Sequence, residues 1–171
     1  STTSEIQPKV TANVEESQPR VIILGDSLTA GLGLAVDLAY PSLLETHLRE
    51  ANFPTEILNA GISGDTAAGG LRRLDWLLKQ NPQMLALELG ANDGLRGTPV
   101  AEIEENLRSI IEQARKQNID VLLIGMQIPP NYGEDYAEEF SSIYPKLAKE
   151  YDLAFVPFLL DGVAGDPNLN Q

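Results

Sequence analysis

Ser27 in GDSLTAG (25–31), Gly64 in NAGISGDT (59–66) and Asn92 in ELGANDGLRG (88–97) are three residues of a 171-residue chain whose types suit acyl transfer. A serine hydroxyl can attack a carbonyl carbon, while a backbone N–H and a carboxamide donate to the oxygen that turns negative. Losing one such donor costs about 3–4 kcal/mol of transition-state stabilisation, so placement matters more than number. Each residue also has a plainer reading. Ser27, following an apolar run, suits a helix N-cap. Gly64 fits an ordinary glycine-rich turn, with Asp65 or Thr66 capping the next helix. Asn92 can close an Asx turn ahead of a tight turn at Asp93 and Gly94.

Other chemistries fit less well. Gly31 and Gly33 lack the third glycine of a dinucleotide loop, and no phosphate loop ending in Lys-Ser/Thr is present. Thr29 stands where the second glycine of a Gly-x-Ser-x-Gly elbow belongs. Asp26, Asp65 and Asp93 all follow strands and could gather Mg²⁺ in a receiver-like binding module. Such a module needs Thr and Lys on later strands, and residues 125–127 and 156–158 do not offer them. Asp26 and Asp65 read more simply as acids that accept backbone N–H bonds and aim the serine and the glycine. Neither a metal nor a cofactor is expected.

The elements that must position these loops alternate in period. Residues 21–25, 56–59, 84–89, 120–125 and 153–156 read as strands, the first a continuous apolar run suited to burial on both faces. Helical spacing appears over 40–51, where Leu43, Leu44, His47, Leu48 and Ala51 share a stripe. It returns over 66–80 with Leu71, Leu74 and Leu78, and over 135–151. A long helix opens at Thr98 as N-cap and Pro99 as first residue, with Val100, Ile103, Leu107, Ile110, Ile111 and Ala114 facing inward. This alternation predicts an α/β fold, a flavodoxin-like three-layer α/β/α sandwich on a five-stranded parallel sheet. Ligands of such sheets sit outside the carboxyl ends of the strands, where the three loops fall.

Residues 20–171 form one domain, and the polar, aperiodic residues 1–19 read as a flexible leader suited to an exported or surface-held protein. Lys and Arg number 12 against 25 Asp and Glu, a net charge of −13. No basic cluster exceeds Arg72 and Arg73, which disfavours nucleic acid and anionic membranes and points to neutral, amphipathic or cationic small molecules. No run approaches the roughly 18 apolar residues of a membrane span. Cysteine is absent, which removes disulfides and thiolate metal sites. Nothing in the pattern demands more than a monomer.

The stretches ILGDSLTAG, NAGISGDT, LELGANDGLRG, IPPNYG and SIYPKLAKEYDL, in this order, resemble the SGNH or GDSL hydrolases. Within them the similarity is greatest to bacterial periplasmic multifunctional esterases acting as thioesterase, arylesterase and lysophospholipase. The resemblance implies Ser27 as nucleophile and an oxyanion hole from the backbone N–H of Ser27 and Gly64 with the Asn92 amide. It implies a mobile loop over 94–98 that shapes an acyl pocket, and a periplasmic or secreted site of action. Leu95, Ile128 and Pro129, with Leu32 and Leu34, are candidates for an acyl groove, with plain core or rim packing as the competing reading.

One part is missing. The family completes its triad with an Asp-x-x-His block near the C-terminus, but here Asp161-Gly162 is followed by Val163-Ala164, and Asp166 has no His three residues on. The single histidine, His47, lies mid-helix between Leu44 and Leu48 and reads as a packing or solvent-tipped residue, not the base. Without a base the serine is a poor nucleophile. The expectation is that the block lies beyond Gln171, since a doubly wound domain without its closing helix leaves one sheet face partly bare. The alternative is a catalytically dead protein of the same fold, interacting through the acidic stretch EDYAEEF (134–140), which otherwise reads as a solvated face.

Overall fold

The computed structural model describes residues 18–158 of the chain. The leader except residues 18 and 19, and the Asp161, Gly162 and Asp166 positions, lie outside the described residues. β1 (Arg20–Gly25), β2 (Glu56–Gly61), β3 (Met84–Glu88), β4 (Asp120–Ile124) and β5 (Ala154–Val156) form one parallel sheet in the order β2-β1-β3-β4-β5. This is the flavodoxin-like order, and its direction of winding reverses between β1 and β3. The register sets Gly25 level with Gly61 on one side and with Glu88 on the other. The loops after these three strands therefore leave the sheet side by side.

Alternating side chains of each strand feed two cores of unequal size. Ile22, Leu24, Leu85, Leu87, Val121 and Leu123 pack under α3 (Ala67–Leu78), α5 (Val100–Lys116) and α6 (Glu134–Glu150). The inward stripe of α5 is buried as its spacing predicts, with Val100 half-buried at the edge. Ile23, Ala86 and Ile124 face the other way, joined by Val21, Ile57, Leu122, Val156 and Tyr40. Among the described residues that face carries α2 (Tyr40–Glu50) and the turns before it. The expected inward stripe of α2 is correspondingly loose: Leu43 and Leu44 are 45% and 41% exposed, His47 and Ala51 are exposed, and only Pro41 is buried.

Four expectations need correction. β2 continues past Asn59 to Gly61 because its whole length pairs with β1. Thr98 does not cap α5. Its N–H donates to the Asp93 carbonyl at 3.0 Å and its carbonyl accepts from the Tyr136 hydroxyl, which holds it outside the helix, and Pro99 takes the cap position with its carbonyl accepting from Glu102 and Ile103. The site loops contain short helices, α1 (Ser27–Ala30) and α4 (Ala91–Leu95), that no hydrophobic period could announce. Asp93 and Gly94 accordingly lie inside α4 rather than in a tight turn.

Candidate active site

Ser27 is the first residue of α1, and Asp26 is its N-cap, the Asp26 carboxylate accepting from the Leu28 N–H at 3.1 Å. The serine does not cap the helix itself. Beneath the turn, the Thr29 hydroxyl donates to Glu88 Oε1 at 3.0 Å and lies 2.6 Å from the Tyr40 hydroxyl. Gly25 makes this possible: a Cβ there would come within 2.0 Å of the Thr29 hydroxyl and 3.1 Å of Glu88 Oε1. Desolvation by burial, with the Asp26 charge beside it, pushes the Glu88 carboxyl up to about 9. Desolvation raises Asp26 as well.

The loop after β2 is tied to this turn from several directions. Arg73 of α3 grips the Asp65 carboxylate through Nε and Nη2 at 2.9 and 2.7 Å, and Nη2 also donates to the Gly25 carbonyl at 3.2 Å. The Ile62 N–H donates to the same carbonyl at 3.0 Å, and the Asn59 amide donates to the Thr29 carbonyl at 2.8 Å. Asp65 also accepts from the Thr66 N–H, and Thr66 caps α3 by accepting from Gly69. Gly64 is exposed with φ +78°, a left-handed conformation that glycine adopts without strain.

The third loop leans on the second. The Asn92 amide donates to the Asp65 carbonyl at 2.9 Å, so it bridges two loops instead of closing its own Asx turn. That bond uses one amide hydrogen and fixes the plane of the group, leaving the second for a ligand. Buried Asp93 accepts from the Ala67 N–H at 3.0 Å, and Arg96 donates to the Gly64 carbonyl at 3.2 Å. Desolvation raises the Asp93 carboxyl. Among the described residues, the backbone N–H groups of Ser27 and Gly64 donate to no protein acceptor. The three candidates thus stand on loops from adjacent strands, Gly64 and Asn92 bridged through Asp65.

Asp26, Asp65 and Asp93 each serve a different partner, and among the described residues no group of three or more potential ligands could hold a metal. The groove candidates divide. Ile128 is half-buried against the main core and close to Gly94, whereas Leu95, Leu32 and Leu34 are exposed and Pro129 is an exposed neighbour of Ile128. Residues 94–98 are braced by N–H bonds within the turn and by Tyr132, whose ring lies against Gly97. His47 is exposed on α2, seven residues and roughly 10 Å of helix beyond Tyr40. No helix among the described residues is long and apolar enough to cross a membrane.

Glu88, Thr29, Tyr40, Arg73 and Asn59 received no site role from the sequence. Only Glu88 carried a visible signal, as a charge closing the otherwise apolar run MLALE.

The GDSL-like Lipase/Acylhydrolase family matches residues 23–171. Esterase TesA of Pseudomonas aeruginosa is 43% identical over 152 residues, covering 88% of this chain and 76% of that protein. Thioesterase 1/protease 1/lysophospholipase L1 of Escherichia coli is 44% identical over 152 residues, covering 88% and 72%. The crystal structure of AlinE4, an SGNH-hydrolase family esterase, superposes with a TM-score of 0.87 at 45% identity, covering 91% of this chain and 84% of that one. With a family match across most of its length and esterases of the same fold at this identity, the chain belongs to the GDSL-like lipase and acylhydrolase family, a serine esterase acting on small-molecule esters.

Proposed function

We propose that Ser27 is the nucleophile of this esterase, forming an acyl-enzyme with the acyl group of a carboxylic ester or thioester. The observation that carries the reading is the set of uncommitted donors around its turn: the Ser27 and Gly64 backbone N–H groups and one hydrogen of the oriented Asn92 amide. As Ser27 Oγ adds to the carbonyl carbon, the carbonyl oxygen becomes an anion and these donors stabilise it. Leaving-group departure gives the acyl-serine, and water then releases the acid. In acylation a base must take the serine proton and pass it to the leaving group. In deacylation it must take a proton from water and give one back to Ser27, and exposed His47 is not that base.

Aryl esters, acyl thioesters and lysophospholipids are the substrate classes of this reading, with Leu95, Ile128 and Pro129 along the acyl chain. The thioesterase and lysophospholipase names of the Escherichia coli relative support the last two classes. The protein works as a monomer in the periplasm or outside the cell, a setting that suits a polar leader. A fluorophosphonate probe tests the assignment. In the product of the complete reading frame it is expected to label Ser27, and Ser27→Ala is expected to remove both label and turnover. No labelling of that product, or equal labelling of Ser27→Ala, would overturn it and favour a binding protein of the same fold.

A further inference from the structure

We propose that Glu88 is a positioning residue for Ser27, sharing a single proton with Asp26 beneath the nucleophile's turn. The inference rests on Ser27 being the nucleophile and adds the device that fixes its place.

The argument follows the hydrogens. Thr29 has one hydroxyl proton, and Glu88 Oε1 at 3.0 Å receives it. The 2.6 Å contact between Thr29 and Tyr40 must then run from the Tyr40 hydroxyl to Thr29 Oγ1. Glu88 Oε2 is buried and has no hydrogen-bond partner among the described residues as long as its carboxyl is ionised. A buried carboxylate oxygen left so costs free energy, and one proton removes the cost. Protonated, Oε2 becomes a donor, and the neighbouring acceptor is the Asp26 carboxylate. Asp26 spends another lone pair on the Leu28 N–H, which caps α1. One directed chain then runs from Tyr40 through Thr29 and Glu88 to Asp26 and ends on the helix that begins at Ser27.

The groups that face this pair are neutral or already bonded elsewhere. Tyr40 from α2 and fully buried Tyr144 from α6 are both pushed far above their ordinary range by desolvation, so each stays neutral. Tyr144 donates to the Leu89 carbonyl just beyond Glu88. Asp65, across the turn from Asp26, is paired with Arg73, and Asp93 of α4 accepts from the Ala67 N–H. A second negative charge on the pair would leave two neighbouring carboxylates ionised in a desolvated site. The Asp26 cap, and with it Ser27, would then shift.

The proton is observable without turnover. Carbon-13 NMR of labelled Asp and Glu carboxyls is expected to show one carboxyl still protonated at pH 7, absent from Glu88→Gln and unchanged in Ser27→Ala. The sign for stability follows from a raised carboxyl. The folded state keeps a proton that the unfolded chain has lost, so stability is full below the ordinary 4.5 and is lost as pH rises towards about 9. Over that window the unfolding constant of the wild type should grow relative to Glu88→Gln by up to about tenfold per pH unit. For positioning, Glu88→Ala should slow fluorophosphonate modification of Ser27 by about tenfold or more, and Glu88→Gln should recover most of it. The wild-type rate should fall as pH passes about 9, whereas that of Glu88→Gln should not. Finding every carboxyl ionised at pH 7, or the same alkaline fall in Glu88→Gln, would overturn the proposal. Silence of Ser27 in all variants, with the carboxyl titration intact, would instead count against the nucleophile.

Discussion

The two faces of the sheet are built to different standards. Under α3, α5 and α6 the interior is continuous and dry, with Leu74, Leu87, Ile103, Leu107 and Ile110 fully buried. Around α2 the cluster is a handful of residues, and Val36, Leu38, Leu43 and Leu44 remain exposed. The site draws on both. Asp65, Asn92 and Asp93 are anchored to α3 and α4 on the well-packed side, whereas the Ser27 turn reaches Tyr40 of α2 through Thr29. The loops after β2 and β3 therefore inherit the rigidity of a close-packed core. The Ser27 turn sits on the seam and depends on buried hydrogen bonds for the same precision.

Single truncations should break this contrast most sharply. Leu107→Ala removes a side chain with no collapse route around it, and denaturant unfolding should show a loss of about 2–5 kcal/mol. Leu43→Ala on α2 should stay within about 0.5 kcal/mol, because nearly half its surface is already wet. Equal losses at the two sites would mean that the faces are equivalent in solution.

Arg73→Met probes the link between faces. It leaves the mostly buried Asp65 carboxylate without its cation and frees the Gly25 carbonyl that precedes the Ser27 turn. The pair is 20% and 12% exposed, so the penalty of a fully buried pair is discounted to about 1–3 kcal/mol of stability. Because Arg73 touches no substrate under the proposed function, esterase kinetics should show a fall in kcat with little change in KM. A variant losing stability alone would reduce Arg73 to a structural brace.

The same contrast explains what the sequence revealed. Strands and the long helices were legible because burial against a core imposes a period, as the Ile103, Leu107, Ile110 and Ala114 stripe of α5 shows. The stripe of α2 had that spacing too, yet Leu43 and Leu44 lie open, since period records amphipathicity and not what covers it. Ser27, Gly64 and Asn92 stood out through motif and residue type. Their supports did not, because Arg73 sits 8 residues from Asp65 and Thr29 sits 59 from Glu88. Such pairs exist only once the chain is folded. Short α1 and α4 span 4 and 5 residues, too few for any period.

A small effect belongs to the packed side's outer rim, where Glu104 of α5 meets Lys146 of α6 at 2.8 Å and Arg108 at 3.4 Å. The Lys146 hydrogen bond, opposed by desolvation and helped by both cations, holds the Glu104 carboxyl below its ordinary range. A lowered carboxyl contributes stability that is present above the ordinary 4.5 and is lost as pH falls through the folded value. Lys146 is 61% exposed, so solvent screening limits the pair, and Glu104→Gln should cost about 0.2–1 kcal/mol at pH 7. Denaturant midpoints of the two proteins should converge as the pH is taken below 4.5, and at neutral pH added salt should narrow the gap. A gap that persists in acid would mean that Glu104 acts through packing of its stem between α5 and α6 rather than through its charge.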